Sequence, residues 1–536
     1  MFRAGGANGW ISAEGVVAGK HRDGLHQLAA KLTARIEAEN QGSEPADNPR
    51  IPSGYTYLLQ LIAHDMVDSV ASFSIASSAL CPGSRNARSA PLLLDTLYGT
   101  GPEESPQAYE FKPENILGNI PRTHMRLGPR SEAAPPGNRY CPFRDIARSA
   151  PNSSDEGQQK APEPPARPTP LLTETMLADS RNDAHALISQ LTVLFQLLHN
   201  HVLSLVEKGT SSISSAPREL AFRQFRCARL VVTLVYRNII ERDLLRRILD
   251  DRIYDRYVTK ADAPRDSGES IPLEFSFGAF RFGHSMVRGA YSVNSQFGLQ
   301  DVTGALLLSS EQRPDFLPVK PNWFVDWDRF FVAKAADGAG TAVQRNLSKV
   351  IGPHYVQDLV QGSVRVSGMD AAGLAHRDLL SACYAGTLSV SALCKELRAK
   401  GFEREVEDFG AWRSRLDSWL PRLNLFPAGD DDRKRIVEDP PLPFFVLFEA
   451  QHHGGQHLGP LGSIIVAEAI LGAFRRYPLG VEQGGSTLRQ RISRCGETFF
   501  DESSAEVSVS EWLAQIDEIE SMSQLLEYMR RQGCFG

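Results

Sequence analysis

Residues 53–72 have the hydrophobic spacing of a helix, with two polar side chains on an otherwise apolar pattern. Gln60 and His64 are four residues apart, so both project from the same side of one helical turn. Leu58 and Leu61 contribute apolar surface that would bury the helix. For a lone histidine, a hydrogen-bonded core position is the commoner explanation. Because unpaired polar groups inside a protein are costly, a buried Gln–His pair nevertheless calls for partners or a function.

Helical periodicity also dominates the rest of the chain, and the sequence has no sustained alternation typical of strands. Asp179 or Ser180 is the expected cap of one long helix. We therefore predict a mainly α protein, formed as a large single helical domain with little β-structure. The further helical stretches are residues 178–209, 218–249, 272–293, 379–401, 441–477 and a helix pair at 508–532.

Two stretches differ in composition from the helical part. Residues 1–50 predict a loosely structured arm around one helix at about residues 23–39, so we place the domain at residues 51–536. Residues 128–170 are rich in Pro, Ser, Ala and charged residues and cannot bury enough apolar surface to fold alone. We predict that most of this stretch is a mobile low-complexity insertion.

The composition is that of an ordinary globular protein, with 536 residues, 42% hydrophobic and 23% charged, and a formal net charge of −6. This charge predicts neither nucleic acid nor an acidic membrane as a partner. The N-terminal residues lack the apolar core of a secretory signal, and we expect no membrane span of roughly 18 apolar residues. The seven scattered cysteines have no CxxC spacing, which favours reduced thiols and a cytoplasmic location.

Five segments resemble motifs of the haem peroxidase–cyclooxygenase superfamily, which contains the animal-type haem peroxidases and their bacterial relatives. GYTYLLQLIAHDMVD resembles the distal-helix motif, LLLDTLYGTGP the LDxxYGxGP segment, and LADSRNDAHALISQLTVLFQLLHNHV the DPRNDEN helix. FSFGAFRFGHSMVRGAY resembles the proximal-histidine segment, and LGPLGSIIVAEAILGAF a C-terminal motif. The segments occur in family order from about residue 51 to residue 477. The resemblance thus covers most of the chain and implies a large helical haem-peroxidase domain.

The resemblance also implies roles for five residues around a bound haem b. His284 corresponds to the histidine that ligates the iron, and Arg281, three residues before it, is a candidate partner of a haem propionate. His64 corresponds to the distal histidine, which moves a proton between the two oxygens of hydrogen peroxide. Arg181 corresponds to the distal arginine that stabilises the departing oxygen, and Gln60 is expected beside the distal water or substrate oxygen.

Four alanines occupy positions where relatives carry functional residues. Ala63 and Ala184 replace acidic residues that form ester bonds to haem methyl groups, so we expect a non-covalently bound haem b. An alignment anchored on Gly386 places Ala382 and Ala385 where relatives have an Asn and an Arg on the proximal side. Because that Asn bonds the second nitrogen of the proximal imidazole, this alignment predicts that the proximal histidine lacks its usual partner.

The family's calcium site is only partly matched. Asp65 corresponds to the ligand on the distal helix and Asp95 to a loop ligand, whereas Leu93 replaces a second loop carboxylate. Calcium takes about six to eight oxygen ligands, so two carboxylates alone do not form a site. The resemblance therefore implies calcium at Asp65, whereas Leu93 in place of a carboxylate argues against it.

The other histidines have a simpler explanation. The motif HHGGQH, at residues 452–457, contains glycines that predict a solvent-exposed loop, and it lacks acidic or thiol partners at metal-ligand spacing. His185, His199 and His201 lie in the predicted helix 178–209, where packing in the core or in a groove between helices is expected.

The combined pattern predicts a haem-dependent peroxidase that reduces hydrogen peroxide and oxidises a small organic donor through an oxoferryl intermediate. A first alternative is a fatty-acid dioxygenase of the same superfamily. Such enzymes use a Tyr three residues before the proximal His, where this chain has Arg281. Further alternatives are a non-catalytic haem-binding protein, which the alanine substitutions favour, and a structural role without haem. The donor and the oligomeric state stay open, and the missing ester links argue against chloride as a substrate.

Overall fold

The chain forms two compact units, each built from three segments. The first unit consists of Met1–Leu92, Ile240–Gly289 and Phe330–Tyr477. The second consists of Leu93–Ile239, Ala290–Arg329 and Pro478–Gly536. The computed structural model describes residues 19–40, 44–67, 88, 90–131, 139–149, 174–213, 215–260, 271–310, 317–332, 345–360, 373–482, 485–500 and 509–535.

Helices dominate the described part of the chain, which confirms the predicted mainly α class with little β-structure. The α-helices of eight or more residues are α1 (Gly19–Glu37), α2 (Gly54–Met66), α3 (Ala186–Gly209), α4 (Pro217–Ile239), α5 (Leu374–Ala385), α6 (Val390–Leu397), α7 (Phe409–Trp419), α8 (Asp431–Glu438), α9 (Leu442–His452), α10 (Pro460–Arg476), α11 (Leu488–Phe499) and α12 (Met522–Arg531). The shorter α-helices are Asp95–Tyr98, Pro113–Leu117, Leu245–Ile248, Asp251–Tyr254, Val302–Leu306, Asp328–Phe331, Gln357–Val360 and Val509–Leu513.

The strands are short and form three antiparallel pairs in the described residues. In the first unit β1 (Asp47–Pro52) pairs with β6 (Leu347–Lys349), and Ser53, which follows β1, donates its backbone N–H to the carbonyl of Asn346 at 2.8 Å. This pair fixes the point at which α2 begins. The strands are β1 (Asp47–Pro52), β2 (Leu127–Arg130), β3 (Arg144–Ile146), β4 (Ala290–Ser292), β5 (Leu299–Asp301) and β6 (Leu347–Lys349).

Helix α1 is anchored in the first unit by a buried arginine. The guanidinium carbon of Arg35 lies 3.6 Å from the ring centre of Trp419, and its Nε and Nη2 donate to the Trp419 carbonyl at 3.0 and 2.6 Å. Leu28, Leu32 and Ile36 on the same helix are buried. The helix expected near residues 23–39 is therefore present and packs in the first unit, while the limits of an arm before residue 51 stay a prediction.

A buried carboxylate joins two long helices of the first unit. Glu449 on α9 accepts hydrogen bonds from the backbone N–H groups of Leu461 (3.0 Å) and Gly462 (3.2 Å) in the first turn of α10. Burial raises the pKa of Glu449 to about 7. A Cβ on Gly459 would lie 2.3 Å from Glu449 Cγ, so only glycine lets this carboxylate reach the helix end.

Helix α3 forms the core of the second unit, and every residue from Ala186 to His199 is buried. By length and composition alone α3 could cross a membrane, so the expectation of no membrane span stays a prediction. However, 83% of its most apolar stretch is buried inside the protein, as in the core helix of a globular protein.

The helix predicted over residues 178–209 is interrupted near its start. Ser180–Asp183 forms a 3₁₀ turn that Asp179 caps by accepting from the backbone N–H of Arg181 at 3.0 Å. Helix α3 begins only after His185, whose Nδ1 accepts from the N–H of Ile188 at 3.3 Å. The expected cap Asp179 is present, but the presence of a second capping side chain divides the predicted helix.

Part of the stretch predicted as a mobile insertion is folded. Residues 139–149 contain strand β3, which pairs with β2, and Cys141, Asp145 and Ile146 there are buried. Composition missed this because the buried residues are few and stand between Pro-rich and charged neighbours. Residues 132–138 and 150–173 of the same stretch lie outside the described residues.

The stretch 272–293 is helical but contains little α-helix. Its hydrogen bonds form a π-helical turn over Glu274–Gly278 and a 3₁₀ segment over Ala279–Met286, and β4 follows. Gly278 marks the change between the two, with φ −118° and ψ −97°. A Cβ on Gly278 would lie 2.5 Å from the Cδ2 of Leu442, so close packing against α9 requires a glycine here.

Candidate functional site

One stripe of helix α2 keeps contact with solvent. Every residue from Gly54 to Met66 is buried except Gln60, Ala63 and His64, which lie three and four residues apart and share one face. The opposite faces are filled by apolar side chains such as Tyr55 and Leu58. The helix therefore presents one amide and one imidazole towards accessible space, as the spacing of Gln60 and His64 predicts.

The predicted iron ligand of the first unit, His284, is held by a buried carboxylate. His284 lies in the 3₁₀ segment Ala279–Met286, and its Nδ1 donates to Asp378 Oδ2 on α5 at 2.6 Å. The hydroxyl of Tyr355 donates to the same oxygen at 3.1 Å. Because a carboxylate accepts hydrogen bonds, the ring proton sits on Nδ1, and Nε2 carries the lone pair that can bind a metal. The His284 side chain remains 30% exposed, whereas Asp378 is buried.

His284 therefore has a hydrogen-bond partner, although this partner is an aspartate and not the Asn of relatives. Ala382 lies one helical turn after Asp378 on α5, and Gly386, on which the alignment rested, is the left-handed residue that ends the helix, with φ 67°. The partner lies one turn before the position that the alignment singled out. Tyr355 and Asp378 were both missed, since they lie 71 and 94 positions from His284 in the chain and carry no local motif.

The two imidazole-bearing segments of the first unit are neighbours. A Cβ on Gly283 would lie 3.9 Å from Leu59 Cδ1, so the segment of His284 packs against helix α2. An imidazole whose Nδ1–H is held by a carboxylate keeps Nε2 for a metal and would suit a haem iron. The partly exposed Gln60–His64 stripe supplies polar groups on an adjacent helix. These residues fit a haem group, which His284 would hold through Nε2.

Arg281 lies on the same 3₁₀ segment as His284. Its Nε donates to the carbonyl of Ser276 at 3.0 Å, and its guanidinium carbon lies 5.9 Å from the ring centre of Phe277. These contacts orient the side chain along the segment. A contact with a haem propionate would have to come from the terminal nitrogens, and this role stays a prediction.

Arg181 lies in the second unit, next to the cap of its own 3₁₀ turn. Its Nε and Nη2 donate to the two carboxylate oxygens of Asp179 at 3.0 and 2.6 Å, and its side chain is 34% exposed. This bidentate pair holds the guanidinium plane and offsets its charge. The role of Arg181 towards peroxide stays a prediction. Ala184, at the end of the same turn, is exposed and carries no group that could form an ester.

A buried ion network in the second unit was missed by the sequence analysis. Arg148 Nε donates to Asp145 at 2.8 Å, and its Nη1 and Nη2 donate to the two oxygens of Asp183 at 2.9 and 2.7 Å. Ser310 completes the network through its Oγ, which accepts from Arg148, and its N–H, which donates to Asp183. Burial alone would lower the pKa of Arg148, but the two carboxylates raise it. The network clamps the turn that carries Arg181.

The candidate calcium ligands lie in different units and have different surroundings. Asp65 is fully buried in the first unit. Asp95, in the second unit, accepts from Arg229 Nη2 at 2.7 Å, so its charge is already offset by a guanidinium. Among the described residues, no group of three His, Cys, Asp or Glu side chains could hold a metal ion. A calcium site at Asp65 therefore stays an implication of the resemblance.

The histidines of α3 pack as predicted. His199 Nδ1 lies 3.1 Å from the Tyr98 hydroxyl and its Nε2 lies 3.0 Å from the carbonyl of Thr123. His201 Nε2 lies 2.8 Å from the hydroxyl of Tyr528. Burial lowers the pKa of both imidazoles to about 4, so both are neutral near pH 7. The motif HHGGQH follows α9 as a turn, as its glycines indicate.

Comparison with known proteins shows which family and which solved structures the chain resembles. Residues 132–374, somewhat less than half of the chain, match the model of the animal haem peroxidase family. The structure is similar to peroxidase A from Dictyostelium discoideum, with a TM-score of 0.52, 12% sequence identity and coverage of 92% of this chain and 90% of that chain. It is also similar to a fatty acid alpha-dioxygenase of Oryza sativa, with a TM-score of 0.52, 12% identity and coverage of 94% and 78%. A search of curated protein sequences finds no significant match.

The family match includes Arg181 and His284, while Gln60, His64 and Asp378 lie outside it. At 12% identity the two structural similarities show the fold alone. One of the two similar proteins is named a peroxidase and the other a dioxygenase, so the likeness does not separate these activities. Residues 132–374 thus match the animal haem peroxidase family, and the fold of the chain is similar to the folds of peroxidase A and the fatty acid alpha-dioxygenase.

Proposed function

We propose that this protein is a haem-dependent peroxidase that reduces hydrogen peroxide and oxidises a small organic donor. The observation that carries the proposal is the pair of imidazoles in the first unit. His284 has Nδ1 committed to Asp378, and His64 lies on the partly exposed stripe of the neighbouring helix α2. One imidazole is thus prepared as a ligand, and the other lies on a partly exposed face and is assigned the proton transfer.

Each residue then has a defined task. A bound haem would supply the two-electron reduction of the peroxide bond and the subsequent oxidation of the donor. His284 holds the cofactor through Nε2, with its ring orientation set by Asp378. His64 takes a proton from one oxygen of hydrogen peroxide and delivers it to the other, so that the second oxygen leaves as water. Gln60, one turn earlier, orients peroxide or water beside His64 by hydrogen bonding.

The haem would be haem b held without ester links. Ala63 and Ala184 carry only methyl groups, so neither can form the ester that acidic residues form in relatives. Retention of the cofactor then depends on His284 and on packing. The proposal includes a cytoplasmic location, and the six cysteines that the structure describes are free thiols.

Replacement of His64 tests the proposal directly. We expect His64→Ala to slow the reaction of the haem-loaded protein with hydrogen peroxide by about 10²- to 10⁴-fold, because the acid–base group is lost. Stopped-flow absorbance at several peroxide concentrations measures the second-order rate constant. His452→Ala, which removes an exposed histidine at the end of α9, is the matched control. An unchanged rate in His64→Ala would refute the assignment.

A fatty-acid dioxygenase is the second candidate, favoured by the fold likeness to the fatty acid alpha-dioxygenase of Oryza sativa. Arg281 opposes it, because it occupies the position where the resemblance implies a radical-forming Tyr. The candidates differ in their need for peroxide. Consumption of dissolved oxygen with a long-chain fatty acid, and without added peroxide, would favour the dioxygenase. Oxidation of a phenol only when peroxide is present supports the peroxidase.

A further inference from the structure

His284, Asp378 and Tyr355 form a short chain of hydrogen bonds inside the first unit. The distance from His284 Nδ1 to Asp378 Oδ2 is 2.6 Å, and Tyr355 donates to the same oxygen at 3.1 Å. The second oxygen, Oδ1, is buried and accepts no hydrogen bond from the described residues. Both hydrogen bonds that the carboxylate accepts thus fall on Oδ2, and one of them comes from the imidazole.

A carboxylate and an amide act differently on an imidazole. An amide oxygen accepts the Nδ1 proton without a formal charge, as the Asn of relatives does in the resemblance. A carboxylate accepts the same proton with a full negative charge in a buried setting, which draws the proton away and increases the electron density at Nε2. Charge-assisted hydrogen bonds are shorter and roughly twice as strong as neutral ones. The distance of 2.6 Å between His284 Nδ1 and Asp378 Oδ2 is short, as expected for such a bond.

We propose that Asp378 is a positioning residue that fixes the Nδ1–H form of His284 and makes Nε2 a strong electron donor to a haem iron, so that this protein holds its iron at a lower reduction potential than an amide partner would. This rests on the proposed function, since Nε2 is taken to ligate the iron. Tyr355 sets the strength of the effect. Its hydroxyl shares Oδ2 with the imidazole and so withdraws part of the carboxylate charge.

The protonation of Tyr355 supports this arrangement. Burial, together with the neighbouring carboxylate, raises the pKa of Tyr355 well above its usual value. The phenol therefore stays protonated and acts as a donor at neutral pH. Removal of the Tyr355 hydroxyl should increase the electron density at Nε2 of the imidazole, and removal of the carboxylate charge should decrease it. These opposite changes separate an electronic role from simple support of the fold.

The experiment compares Asp378→Asn and Tyr355→Phe with the wild-type protein, all loaded with haem. Spectroelectrochemical titration gives the Fe(III)/Fe(II) midpoint potential, and resonance Raman spectroscopy of the ferrous form gives the iron–histidine stretching frequency. We expect Asp378→Asn to raise the potential and lower the frequency, and Tyr355→Phe to lower the potential and raise the frequency. Asp378→Ala should also weaken haem binding by about 10- to 100-fold.

The controls separate this inference from the proposed function. Cys383→Ala is a buried change on α5, five residues after Asp378, and it should leave both observables at their wild-type values. Haem uptake with unchanged potential and frequency in both Asp378→Asn and Tyr355→Phe would overturn the inference and leave the peroxidase proposal intact. Failure of the wild-type protein to bind haem would overturn both. Should Asp378→Asn fail to fold, Tyr355→Phe alone decides through the sign of its shift.

Discussion

His284 in the first unit and Arg181 in the second are both held by an aspartate, but the two aspartates do different things. Asp378 contacts His284 through one ring nitrogen and leaves the other for a ligand. Asp179 accepts hydrogen bonds from two nitrogens of Arg181 and offsets the charge of the guanidinium. The first carboxylate orients and activates its partner, whereas the second fixes its partner and reduces its charge. A motif match alone treats these two residues alike.

The difference follows from burial. Asp378 is fully buried and has two donors, so its field acts on the imidazole with little screening. The Arg181 side chain is 34% exposed, so water screens the pair and its energy is small. The stability of the turn around Arg181 comes instead from the buried Arg148 network beneath it. Two variants in the second unit test this division, and a third variant, in the first unit, tests how burial changes the pKa of a carboxylate. They follow in order of decreasing effect.

Arg148→Met should have the largest effect, because it leaves Asp145 and Asp183 buried without their cation. Removal of one partner from a buried ion network costs about 3–5 kcal/mol of unfolding free energy. Urea denaturation monitored by hydrogen exchange, which separates the two units, measures this loss. Arg130→Met, an exposed change on β2, should stay within about 0.5 kcal/mol of the wild type. A loss below about 1 kcal/mol in Arg148→Met would contradict the network's role.

Arg181→Ala should have the next largest effect if the predicted distal role holds. Loss of one charged donor to a departing oxygen slows a reaction by about 10²-fold. The second-order rate constant with hydrogen peroxide measures it. Asp179→Asn is the matched variant, because the amide oxygen keeps the cap of the turn while the charge is removed. It should react at least as fast as the wild type. If Arg181→Ala reacted at the wild-type rate, Arg181 would only hold the turn and would have no role towards peroxide.

Glu449→Gln should have the smallest effect, seen in the pH dependence of stability. The pKa of Glu449 is raised by burial from 4.5 to about 7 in the folded state. Between these values the folded state binds more protons than the unfolded state, so the unfolding free energy falls as pH rises. This contribution amounts to about 2 kcal/mol between pH 5 and pH 7. Denaturation at both pH values measures it. Glu449→Gln should lose most of this decline, and an identical decline in the variant would contradict the assigned pKa.

The sequence alone predicts those site features whose residues lie on one helix. Gln60 and His64 share a helical face four residues apart, and the structure leaves that face partly exposed. The packing of His199 and His201 follows from the apolar pattern of α3 in the same way. Such features depend on residues close in sequence, and the spacing of a helix brings them together.

The other features of the site and fold depend on contacts between residues far apart in the chain or on close packing, and neither can be predicted from composition. Asp378 lies 94 positions from His284, and the alignment that sought a partner was anchored on Gly386, a helix-ending glycine. The π and 3₁₀ turns around Gly278 arise from its contact with Leu442 on α9, although the local pattern favours an α-helix. These positions are set by tertiary contacts.

The most direct test of the account is an absorption spectrum of the purified protein titrated with haem, compared with His284→Ala. We predict that the wild type takes up one equivalent of haem with a sharp Soret band, and that this band changes on addition of one equivalent of hydrogen peroxide. His284→Ala should lose most of the haem affinity, while His452→Ala should behave as the wild type. A wild-type protein that takes up no haem, or a His284→Ala variant that gives the same spectrum as the wild type, would contradict the account.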